Sequence, residues 1–181
     1  MTKEFVVGVT GASGVIYARR LLEVLCEEAT VHIVISDTAR QIAGIEDVNL
    51  DGFDAIYAEN SNLAADIASG SFRYDGMAIV PCSMKTLAAV SNGLADNLIG
   101  RAADVCLKER RPLLLLLREM PLSRIHLKNM LAADEAGATV MVASPPFYQH
   151  PETIDDLVDM VVARVLDHMK VDHSLGTRWS G

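Results

Sequence analysis

The sequence predicts a single α/β domain over 1–181: one doubly wound, mostly parallel sheet of the Rossmann-like or flavodoxin-like kind, with helices on both faces. Three observations lead there. Short, nearly all-apolar runs recur along the chain, helix-period stretches lie between them, and the first run passes through a glycine-rich turn into a helix. The apolar runs are Phe5–Val9, Val31–Ile35, Met77–Val80, Leu113–Leu117 and Thr139–Val142. They are too short for helices and lack polar alternation, which suits strands covered on both faces.

In chain order, Val15–Glu28 turns Ile16, Leu21, Leu22 and Leu25 inward, as a helix packed on the sheet would. Asn49–Ser71 has a weaker pattern, and its Ala68–Ser71 piece reads as a loop. Met84–Val90, Asn97–Glu109 and Arg124–Ala136 have helical period. A last helix begins after Pro151, with Ile154, Leu157, Val158, Val161, Val165 and Leu166 sharing its inward face. No repeat, low-complexity tract or interdomain linker interrupts the series.

Composition narrows the function classes. With 16 Lys and Arg against 24 Asp and Glu, the formal charge is -8, which leaves no basic surplus to replace phosphate counterions and argues against nucleic acid. The longest aliphatic block, Leu113–Leu117, falls far short of the ~20 residues needed to cross a bilayer, so no membrane span is expected. The opening Met-Thr-Lys-Glu-Phe has no secretory character, and a cytoplasmic location is expected. Cys26, Cys82 and Cys106 form no C-x-x-C, and His32, His126, His150, His168 and His173 lack metal spacing, so neither disulfides nor a metal are expected.

Val-Gly-Val-Thr-Gly-Ala-Ser-Gly, ending at Gly14, is the strongest local signal. Gly11 and Gly14 permit positive φ and close backbone approach, while the first amides of the next helix and the Ser13 hydroxyl can hold an anion. The plainer alternative is a tight turn with Ser13 as helix N-cap. Gly8, Gly11 and Gly14 have neither G-x-G-x-x-G nor P-loop spacing. No tyrosine is followed four residues later by lysine, as a short-chain dehydrogenase would need. The second apolar run ends at Ser36 and the third leads into Pro81-Cys82-Ser83-Met84-Lys85-Thr86. In a parallel sheet these ends share one edge, so three hydroxyl-bearing turns can surround one nucleotide. Cys82 at a strand end is read as packing, since no partner base is evident.

Thr10–Gly14, Pro81–Leu87, Arg101–Glu109, Arg118-Glu119-Met120-Pro121-Leu122 and Phe147-Tyr148 together resemble the flavin prenyltransferase family, UbiX-like, including small subunits associated with hydroxyarylic acid decarboxylases. The resemblance runs over nearly the whole chain, departing at Leu117 and at Ser144-Pro145-Pro146. It implies a homo-oligomer, typically a dodecamer, that joins the dimethylallyl group of dimethylallyl phosphate to N5 and C6 of reduced FMN. The prenylated FMN would serve a UbiD-type decarboxylase.

Carried over by position, Gly11, Ala12, Ser13, Ser36, Ser83, Met84, Lys85, Thr86, Arg101 and Arg118 are similar to FMN contacts. Glu46, Lys108, Arg118, Glu119, Tyr148 and Arg164 are similar to the groups around the prenyl donor. Ser69 and Gly70 are similar to a loop contributed across a subunit interface, and Trp179 to an aromatic near the C-terminus. Within that resemblance Lys108, Arg118 and Arg164 stabilise the departing phosphate, Tyr148 adds a hydrogen bond, and Ser13, Glu46 and Glu119 are candidates for proton transfer.

Each residue also has a plainer reading. Lys108 and Arg101 sit beside Glu109 and Asp104 as ordinary helix-surface pairs would, and Arg164 can pair with Asp167 or Asp159. Glu46 before Asp47 reads as a solvated acidic loop, Tyr148 as a loop anchor and Trp179 as a packing plug. Asp155-Asp156-Leu157-Val158-Asp159 matches a magnesium-diphosphate motif, D-D-x-x-D, yet Thr153 ahead of it favours acidic residues placed to complement a helix N-terminus. A binding protein that stores FMN or stabilises a decarboxylase, and an FMN-dependent cysteine decarboxylase, are the competing functions.

Overall fold

Alternate side chains of a strand leave opposite faces of a sheet, and here each face has its own helices to bury against. In the computed structural model, which describes residues 2–176, the first strand is β1 (Lys3–Val9). Its Phe5, Val7 and Val9 pack with one hydrophobic cluster and Val6 with another. The first cluster is closed by α1 (Val15–Glu28), α2 (Asp37–Ile45) and α6 (Ile154–Met169). The second is closed by α3 (Met84–Ser91), α4 (Leu98–Lys108) and α5 (Arg124–Glu135). The cover is tight at Gly8, where an added Cβ would lie 3.1 Å from Ile99 of α4.

The remaining strands are β2 (Ala29–Ile35), β3 (Ile56–Glu59), β4 (Gly76–Cys82), β5 (Leu113–Leu117) and β6 (Thr139–Val142). They form a 6-stranded sheet in the order β3-β2-β1-β4-β5-β6, with all neighbouring pairs parallel. Strand order therefore reverses between β1 and β4, whose following segments leave on opposite faces. Such a switch point opens a crevice at the carboxyl edge. No helix among the described residues is long and apolar enough to cross a membrane.

The five apolar runs are all strands and the five helix-period stretches all helices, with ends shifted by a residue or two. Besides a one-turn 3-10 helix at Asp66–Ala68, two elements were not foreseen. β3 is an edge strand with Ile56 and Tyr57 exposed, so burial imposes no apolar run on it. In α2 only Ala39 and Ala43 are buried, too thin a stripe to read as periodicity. The inward face predicted for the last helix needs one correction: Ile154 is its first residue and is 71% exposed, while Val158, Val161, Val165 and Leu166 are buried.

Candidate active site

The β1–α1 turn draws its shape from contacts at both ends. Gly11 presses against α2, where a Cβ would come within 2.5 Å of Thr38. Gly14 stands at φ 97 as the N-cap of α1, a left-handed conformation that glycine adopts without strain, and it offers no side chain to cap the helix. The predicted alternative of a Ser13 cap is thus corrected. The cap comes instead from Glu46, at the C-cap of α2, whose carboxylate accepts from Gly14 N at 2.8 Å and Val15 N at 2.9 Å. Glu46 is no solvated loop residue; it is the anion at the positive end of α1. The Arg118 Nε donates to the Ser13 carbonyl at 3.0 Å, fastening the end of β5 to the same turn. Burial pushes the Tyr17 phenol beneath Gly14 up, with the Arg118 charge pulling the other way.

Three more helix N-termini face the crevice. Ser36 caps α2 by accepting from Ala39 N at 3.2 Å, and Ser83 caps α3 by accepting from Thr86 N at 3.3 Å, its hydroxyl 3.1 Å from that of Thr86. Asn97 caps α4 by accepting from Gly100 N at 2.9 Å, while Asn60 Oδ1 accepts from Ile99 N at 3.1 Å. A cavity of about 690 Å³ reaches from Ser36 and Asn60 past Ser83–Thr86 to Asn97, within the range of ligand sites. A second, of about 480 Å³, is lined by Ala12, Ser13, Glu46 and Arg118 among others. Gly11, Ser83, Met84 and Glu119 line both, so the two adjoin. Backbone amides, hydroxyls and one guanidinium beside apolar walls suit a phosphorylated ligand with a flat hydrophobic part.

Ser69, Gly70, Arg101 and Lys108 meet elsewhere. Arg101 Nε donates to the Ala68 carbonyl at 3.1 Å, and a Cβ on Gly70 would lie 2.7 Å from Lys108 Nζ. Lys108 ends α4, which runs from the carboxyl edge back toward the start of β5, about 15 Å at 1.5 Å per residue. One chain therefore does not bring Lys108 to Arg118. The surface pairs foreseen as alternatives are present: Arg101 with Asp104 at 2.6 Å, Lys108 with Glu109 at 2.8 Å and Arg164 with Asp167 at 2.8 Å. The Lys108 ammonium holds the Glu109 carboxyl below its ordinary range. Arg164 and Tyr148 are both exposed, Tyr148 on the segment after β6, and Trp179 lies outside the described residues.

The acidic motif at 155–159 is used structurally. Thr153 Oγ1 accepts from Asp156 N at 3.1 Å, Asp156 Oδ2 accepts from Thr153 N at 2.8 Å, and Asp159 holds Arg20 of α1 at 2.6 Å. Among the described residues no group of three or more His, Cys, Asp and Glu could hold a metal ion. Cys82 is fully buried and its thiol pushed up, while burial raises Cys106 to about 11; neither resembles an activated nucleophile. Asn60 and Asn97 were missed as site residues. Asn97 at the head of a helix-period stretch was an available N-cap signal, whereas Asn60 caps a helix remote in sequence, which no local pattern reveals.

Comparison with known proteins agrees with this fold. The model of the Flavoprotein family matches residues 1–166. The chain is 46% identical over 181 residues, 97% of this chain and 98% of the other, to the flavin prenyltransferase UbiX of Methanocaldococcus jannaschii. It is similar, at TM-score 0.96 and 41% identity over 100% of this chain and 99% of the other, to AnUbiX (PadA1) crystallised with FMN and dimethylallyl pyrophosphate. A dodecameric FMN-dependent UbiX-like decarboxylase from Escherichia coli O157:H7 is similar at TM-score 0.93 and 46% identity, over 98% of this chain and 100% of the other.

Proposed function

Because this chain belongs to the Flavoprotein family and, within it, to the UbiX-like flavin prenyltransferases, we propose that residues 1–181 form one FMN-binding domain that transfers a dimethylallyl group from a phosphate ester to FMN. The observation that carries the reading is the pair of adjoining cavities at the switch point, sharing Gly11, Ser83, Met84 and Glu119. Together they suit a flavin mononucleotide and a short allylic ester meeting at one wall. Reduced FMN supplies the nucleophilic positions, N5 and C6, that take up the five-carbon group.

The residues divide the work as follows from their chemistry. Gly11–Ser13, Ser36 and Ser83–Thr86 offer amides and hydroxyls to FMN. Since Glu46 already fills the positive end of α1, the FMN phosphate belongs at the amides heading α2 and α3. The Arg118 guanidinium lines the smaller cavity, where it can stabilise charge growing on the leaving phosphate. Loss of one such donor costs about 3 kcal/mol, roughly a hundredfold in rate. Ser13 and Glu119 are the proton-moving groups. Glu119 lines both cavities, and its carboxylate accepts from Met120 N at 2.9 Å.

Lys108, with Ser69 and Gly70, completes the donor site, and Arg101 approaches the flavin, from a neighbouring copy in a homo-oligomer, for which the dodecameric relative provides support. Arg164 and Tyr148 join them around the ester. The enzyme works in the cytoplasm without a metal and hands prenylated FMN to a UbiD-type decarboxylase. The donor is dimethylallyl phosphate, although the similar structure holds the pyrophosphate.

Anaerobic incubation with reduced FMN and dimethylallyl phosphate tests this directly. Release of phosphate with a flavin heavier by one C5 unit is expected, unaffected by a chelator. Unchanged flavin bound tightly would favour storage, and transfer from the pyrophosphate alone would replace the donor.

A further inference from the structure

We infer that Thr10 is a positioning residue that sets the flavin-binding conformation of the β4–α3 turn; this rests on the FMN reading above. At the switch point the segments after β1 and β4 must diverge to opposite faces of the sheet, and backbone ladder bonds end where they part. Thr10 stands in that gap, only 3% exposed. Its hydroxyl donates to the Pro81 carbonyl at 2.8 Å and accepts from Ser83 N at 2.8 Å. Its own amide also donates to Pro81 O at 3.2 Å, and its carbonyl accepts from Ala12 N at 2.8 Å. One residue thus ties the glycine-rich turn to the start of α3.

The clip acts where β4 needs holding. The register of β4 against β5 slips between Ile79 and Cys82, so β5 does not guide Pro81 into the turn. By engaging the Ser83 amide, Thr10 fixes the start of the turn whose Ser83, Met84, Lys85 and Thr86 line the same cavity as Thr10 itself. Only a hydroxyl can donate and accept here at once, so valine, equal in shape, cannot substitute.

Loss of a hydrogen bond that leaves a buried partner unpaired corresponds to about ten- to hundredfold in affinity. The test compares Thr10→Val, Thr10→Ser and Thr10→Cys with Val7→Ala, a fully buried β1 residue remote from the turn. FMN dissociation constants come from fluorescence titration, melting temperatures from calorimetry, and Ser83 amide exchange from the ligand-free chain. Thr10→Val is expected to weaken FMN binding by that factor and to speed Ser83 exchange. Thr10→Ser stays near wild type, and Thr10→Cys falls between and serves if the valine variant does not fold. Val7→Ala lowers the melting temperature and leaves FMN affinity intact. Wild-type affinity in Thr10→Val, or an equal loss of FMN in Val7→Ala, would overturn the inference alone. A wild-type chain that does not bind FMN would overturn the FMN reading with it.

Discussion

Replacing Glu46 by alanine removes the only side-chain cap of α1 among the described residues and leaves the Gly14 and Val15 amides, bonded at 2.8 and 2.9 Å, to water. Loss of a helix N-cap costs about 0.5–2 kcal/mol, and loss of a negative charge at the positive end of the dipole about 0.3–1 kcal/mol more. Because water reaches this partly buried turn, the full price of two stranded amides does not apply, and about 2 kcal/mol is the expected total. For a domain of this length that is a fall in melting temperature of about 4–8 °C. Scanning calorimetry in chloride buffer reads it. Added inorganic phosphate should recover part of the loss in Glu46→Ala, because the vacated amides then take an anion, and should do less for the wild type. A variant melting within about 1 °C of wild type would refute the account of Glu46 as the helix cap.

Other expectations concern the outlying cations, the acidic motif and the thiols. Lys108→Ala should lower prenyl transfer roughly a hundredfold while FMN titrates as in wild type, since Lys108 lies at the far end of α4 from the cavities; a flavin-free variant would show that Lys108 supports FMN itself. The Asp156 carboxyl is held below its ordinary range, first by backbone hydrogen bonding at Thr153. Its contribution is therefore present above the unfolded-state value and lost as pH falls through the lower folded value, so a melting curve taken into acid should decline less in Asp156→Asn than in wild type. Cys26 and Cys106 are both raised to about 11 by burial and Cys82 is raised further, so iodoacetamide should label the native chain slowly near pH 8 and the unfolded chain quickly. Rapid native labelling at Cys82, read by mass spectrometry, would reopen cysteine chemistry at the carboxyl edge.

The sequence by itself determined the layered α/β architecture, because Phe5–Val9, Val31–Ile35 and Leu113–Leu117 must be buried on both faces and only a helix-covered parallel sheet does that. It also determined which turns line the crevice, since all strands of a parallel sheet end at one edge and Gly11, Ser36, Ser83 and Arg118 follow strand ends. What it left open was whatever depends on contacts between residues remote in the chain. The Glu46 carboxylate on α1, the Thr10 hydroxyl between two diverging turns and the Asn60 cap of α4 join segments 31 to 73 residues apart, and no local spacing encodes them. Tertiary structure alone decided that Lys108 and Arg118 stand at opposite ends of the same chain's sheet. Both residue types suit a phosphate, and residue type carries chemistry; direction is set by which way α4 runs over the strands beneath it.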